Sequence, residues 1–137
     1  MHARPAALAD QLVAKHSSGP TTSPRVLVIG TAFKPGQSVI FCSPSILFAH
    51  RTQELGCRVS YIDPLVAQAA VPTVQKMQDG DFTAAHIDAH FDLVVIAMRQ
   101  VGLDYEVLDH LAHAKVESFV DMYQEPQSAM RRESRCR

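Results

Sequence analysis

Residues 25–30, RVLVIG, form an apolar run of strand length with no alternation of polar and apolar positions, closed by a glycine. A strand with one wet face alternates, so a run of this kind is expected to be covered on both faces, as in parallel sheets sandwiched between helices. A second run of the same character, FDLVVIAM, predicts a strand from about 91 to 97. Parallel neighbours cannot be joined by a hairpin and need crossovers of a dozen or more residues, so helices must lie between such strands.

The intervening sequence supplies them. PAALADQLVAK, residues 5–15, sets Leu8, Leu12 and Val13 at helical spacing behind a proline suited to a first turn. HSSGPTTSP, residues 16–24, has the composition of a linker, which places the start of the packed core near Arg25. Ser43 is placed to cap a helix with Pro44 at its first position, and Gly56 is placed to stop it, giving a helix over about 44–55. CRVSYIDP predicts a strand over 57–62 with Asp63 at its carboxyl end.

Beyond it, Pro72 and the Asp79-Gly80 turn leave room for a short third strand near 71–74. TAAHIDAH reads as one or two helical turns, YEVLDHLAHA as a helix over 105–114, and VESFVD as the last strand. Strands alternating with helices predict right-handed crossovers and an α/β fold: a doubly wound parallel sheet, Rossmann-like and three-layered (α/β/α), in a single domain. Such a sheet binds ligands beyond the carboxyl ends of its strands. The expected organisation is a helix and linker over 1–24, the α/β domain over 25–124, and a flexible basic tail over 125–137.

With 137 residues, 47% of them hydrophobic, the chain is able to bury one ordinary core. Thirteen basic and 14 acidic residues give a formal charge of −1, which supplies no field for nucleic acid or an anionic membrane. The apolar runs are too short to cross a bilayer, and the first thirty residues hold no run of signal-peptide length, so a soluble, cytoplasmic protein is expected. Cys42, Cys57 and Cys136 are odd in number and without CxxC spacing, which argues against a disulfide framework and a zinc ribbon and fits a reducing compartment.

The loop after RVLVIG runs from a strand's end to a helix's start. Such a loop offers unpaired backbone N–H groups and the helix dipole to phosphate, the dipole contributing about 0.3–1 kcal/mol. Lys34 adds positive charge, yet the loop is neither GxGxxG nor GxxxxGK[ST]. On the residues alone, an anion site and a plain turn built on Gly30 and Gly36 with a solvated lysine fit equally.

A more specific pattern is present in Gly30, Ala32, Phe33, Lys34, Ser43 and Pro44. With LGCRVSYIDPLV at 55–66, FDLVVIAM and FVDMYQ, this resembles the carboxy-terminal domain of the UDP-glucose/GDP-mannose dehydrogenase family over about residues 25–124. The resemblance implies a domain that holds the nucleotide end of a nucleotide sugar, with Phe33 and Lys34 as substrate-binding residues. It also implies that NAD and the catalytic cysteine belong to other domains of the family's enzymes, so this chain alone is expected to bind no cofactor and to carry no catalytic residue. The expected partners are a nucleotide sugar and either a full-length dehydrogenase or the missing domains.

The sequence departs from the family where charge matters. The family's paired aspartates fall at Ser38 and Val39, its cofactor-facing arginine at Phe41, and the arginine and asparagine of its last strand at Tyr123 and Gln124. Tyrosine cannot neutralise phosphate as arginine does. An interaction module that has shed its ligand, or a piece of a split dehydrogenase, is therefore the competing expectation.

The remaining candidates favour ordinary roles. Cys42 precedes a helix start, where a thiolate is stabilised, but a partly buried thiol is the simpler reading. His86 with His90, and His110 with His113, have helical spacing, while Asp88 lies off the shared face of the first pair, so no metal is expected. Asp63 sits where an acid binds ribose in dinucleotide folds, although shaping the Asp-Pro turn is the favoured reading.

Overall fold

The computed structural model describes residues 3–17, 23–31, 43–100 and 102–119. In chain order these form α1 (Ala3–His16), β1 (Val26–Ile29), α2 (Pro44–Glu54), β2 (Val59–Ile62), β3 (Gln75–Lys76), α3 (Ala84–His90), β4 (Leu93–Ile96) and β5 (Lys115–Ser118). All strand pairs are parallel, in the order β3-β2-β1-β4-β5. The doubly wound α/β sheet is thus the observed fold.

β1 and β4 are buried at every position, as their unbroken apolar runs require. Alternate side chains feed two separate cores. Val26, Val28, Val59, Tyr61, Leu93 and Val95 meet Leu8, Leu12, Phe48 and Ala49 from α1 and α2 on one face. Leu27, Ile29, Ile62, Val94 and Ile96 meet Phe82, Ile87 and Phe91 on the other. Leu8, Ala9 and Leu12 are buried in the first core, so packing begins in α1 and not, as composition suggested, near Arg25.

The helix signals read well. Pro44 opens α2 and Gly56, at φ +92°, follows it. Ser43 occupies the cap position, but its hydroxyl lies 2.7 Å from that of Ser45 and makes no cap bond.

Three elements differ from expectation. No strand forms at 71–74; pairing is confined to Gln75 and Lys76. The Gln68 amide donates to the carbonyls of Val71 and Val74, while its oxygen accepts from the Lys76 N–H, so one side chain folds that segment into turns. The helix expected over 105–114 is a 3-10 turn ending at His110. Its continuation is captured by Asp88, whose carboxylate accepts from the backbone N–H groups of Ala112, His113 and Ala114. β5 accordingly starts one residue earlier than VESFVD and ends at Ser118.

At the amino ends of the strands, Arg25 grips Asp92 through Nε and Nη2, each at 3.0 Å, with its own backbone N–H at 2.9 Å and His113 at 2.7 Å. The Arg25 guanidinium, more than any other neighbour, holds the Asp92 carboxyl well below the usual carboxylate range. A carboxyl depressed in the folded state stabilises above its unfolded value near pH 4 and loses that contribution as pH falls further. Asp92→Asn is therefore expected to flatten the fall in urea midpoint below about pH 4 and to cost on the order of 1 kcal/mol at neutral pH, screening at this half-exposed pair included. An acid limb identical to that of the parent chain rules this contribution out.

Candidate functional site

Winding reverses between β1 and β4. The chain leaves β1 over α2 on one face and reaches β4 over α3 on the other, and it is at such a reversal, in the crevice beyond the carboxyl ends of the strands, that open α/β sheets hold their ligands. Thr31 begins the loop after β1, and residues 97–100 and 102–104 belong to the loop after β4.

Buried groups tie this end together. Asp63, fully buried after β2, accepts from the Thr31 N–H at 2.8 Å, the Leu65 N–H at 2.9 Å and the Gln100 amide at 3.1 Å; the Thr31 hydroxyl lies 3.4 Å away. Thr31 and Gln100 are themselves buried. A side chain enclosed in this way, its oxygens already accepting from three loops, is in no position to bind ribose. The turn-shaping role expected of Asp63 is thus what its geometry supports, extended from one turn to three.

Gly30 supplies the second tie. Its φ is +83°, and a Cβ there would lie 2.6 Å from both Cγ and the carbonyl oxygen of Met98. The approach is close because the N–H groups of Ala97 and Met98 both donate to the Ile29 carbonyl. Arg99 then turns outward, its guanidinium carbon 4.9 Å from the centre of the Tyr105 ring. The Tyr105 hydroxyl donates to the Gln100 carbonyl at 2.8 Å, and burial raises its pKa.

Phe33 and Lys34 lie outside the described residues, as do Ser38, Val39, Phe41, Cys42, Tyr123, Gln124 and the tail. Thr31, Gln100 and Arg99 were not singled out in the sequence. The available signal was positional: Arg99 and Gln100 directly follow the apolar strand at which winding reverses.

The histidine pairs are placed otherwise. His86 and His90 stack with ring centres 4.2 Å apart on α3, the Nδ1 of His90 lying 2.9 Å from the His86 carbonyl oxygen. His113 pairs with Asp92. Among the described residues no three His, Cys, Asp or Glu side chains are grouped so as to hold a metal, and no helix is long and apolar enough to cross a membrane. A groove of about 550 Å³ at the opposite end of the sheet is lined by Lys15, His16, His113 and Lys115. Glu117 engages Lys15 and His16 there, and Asp92 engages His113.

No protein-family model matches the chain, and the curated proteins yield no relative. Among solved structures, a UDP-glucose dehydrogenase from the hyperthermophilic archaeon Pyrobaculum islandicum superposes with a TM-score of 0.59 and 26% identity over 83% of this chain. The chain spans only 26% of that enzyme's length. In fold and in sequence, then, the chain is similar to a domain-sized part of a UDP-glucose dehydrogenase.

Proposed function

We propose that this domain binds a nucleotide sugar of the UDP class in the crevice between the loops after β1 and β4, and that alone it binds without oxidising. The observation that carries the reading is the likeness to a UDP-glucose dehydrogenase in a sheet whose winding reverses at that crevice. Phe33 and Lys34 are the proposed contacts: the lysine opposes phosphate charge and the phenylalanine shapes the pocket. Oxidation of an alcohol to an acid by this route needs a hydride acceptor and a nucleophile to hold the thiohemiacetal. In this reading both come from other domains, with NAD bound there.

The reading is tested by calorimetric titration with UDP, UDP-glucose, GDP-mannose and NAD. UDP is expected to bind in the micromolar range and Lys34→Ala to abolish that binding, with NAD silent. Silence toward every nucleotide refutes the proposal. It favours instead the second reading, an interaction module for a full-length dehydrogenase or its missing domains, which the uncharged residues Ser38, Val39, Phe41 and Tyr123 support.

A further inference from the structure

We infer that Arg99 is the phosphate-recognition group of the crevice, pre-placed by Tyr105, a role that rests on the nucleotide reading above and deepens it. Arg99 lies three residues beyond the end of β4, at the point where winding reverses. Both of its neighbours are fixed. Met98 donates its N–H to Ile29 and sits against Gly30, while Gln100 is buried and bonded to Asp63. Backbone anchored on either side fixes the point at which the exposed arginine leaves the loop.

Its partner is a ring. The guanidinium lies 4.9 Å from the centre of Tyr105, and no carboxylate stands within ion-pair distance of it among the described residues. The contrast with other arginines is direct: Arg25 is paired with Asp92, and Arg51 with Asp10 and Glu54. A cation held against a ring face keeps its charge and commits no N–H donor to a carboxylate. Tyr105 is itself held by its bond to the Gln100 carbonyl, so the side chain surrenders less freedom on binding than a loose arginine would. A planar, always charged fork of N–H donors matches a diphosphate in two-point geometry.

Four variants are titrated calorimetrically with UDP, uridine and inorganic pyrophosphate: Arg99→Ala, Arg99→Lys, Tyr105→Phe and Tyr105→Leu. Arg99→Ala is expected to weaken UDP and pyrophosphate about 10- to 100-fold while leaving uridine unchanged, the range expected for loss of one charged contact. Arg99→Lys recovers part of the loss; Tyr105→Phe, which keeps the ring but loses its bond to Gln100, weakens binding less than Tyr105→Leu, which moves toward Arg99→Ala. Arg99 is exposed, so thermal melts of its variants should match the parent. UDP binding unchanged in Arg99→Ala overturns the inference and leaves the nucleotide reading standing. Pyrophosphate binding that depends on Arg99, with UDP and uridine adding nothing to it, upholds the anion site and refutes the nucleotide reading. Binding of neither UDP nor pyrophosphate by the parent chain overturns both.

Discussion

Gly30→Ala is expected to destabilise the domain by about 3 kcal/mol or more, read as a lowered urea midpoint. Two costs combine. At φ +83° any L side chain is strained, and the added methyl would stand 2.6 Å from the Met98 carbonyl oxygen. The Met98 Cγ, at the same 2.6 Å, can swing aside, but the carbonyl belongs to backbone pinned by two N–H bonds to Ile29. Gly102→Ala is the control: its φ is +96°, yet its Cβ would meet Pro64 at an ordinary 3.4 Å. That variant carries the conformational cost alone, about 1 kcal/mol. Equal losses at the two glycines would show that β1 and the loop after β4 do not approach as described.

The sequence disclosed those parts of the fold whose physics is local. β1 and β4 were legible because a strand covered on both faces must be apolar throughout, and α2 because Pro44 and Gly56 act within a residue or two of themselves. β3 was not, since it is two polar residues aligned by Gln68 from eight positions away. Helix propensity over 105–114 yields to Asp88, an acceptor more than twenty residues upstream whose three N–H bonds exclude helical pairing at 112–114. The crevice divides in the same way. Asp63 was found because an acid at a strand's carboxyl end has a fixed address. Its partner Gln100, 37 residues later, was not, because a glutamine after a strand carries no periodic signal, and neither was Arg99, because a cation–ring contact leaves no spacing to read. Carbonyl, carboxylate and ring contacts between loops are products of the topology and become readable only after strand order is known.

Asp63→Asn tests whether those loops depend on one carboxylate. Each Asp63 oxygen faces donors: Oδ1 accepts from Leu65, and Oδ2 accepts from Thr31 and from Gln100. An asparagine supplies one oxygen and one NH2, so in either orientation it sets a donor against a backbone N–H in a fully buried site. Losing a charge-assisted bond and burying an unsatisfied donor together cost about 2–4 kcal/mol. In a domain of this size that is roughly a 5–15 °C fall in melting temperature. Gln100→Ala should cost less, because Thr31 and Leu65 keep their acceptors, and the double variant should cost less than the sum of the two, since the pair shares one contact. Thr31 opens the loop in which Phe33 and Lys34 follow, so Asp63→Asn should also weaken any nucleotide bound there, even at temperatures where the variant stays folded. A melting temperature within about a degree of the parent, with nucleotide affinity unchanged, would mean that the three loops hold their places without Asp63.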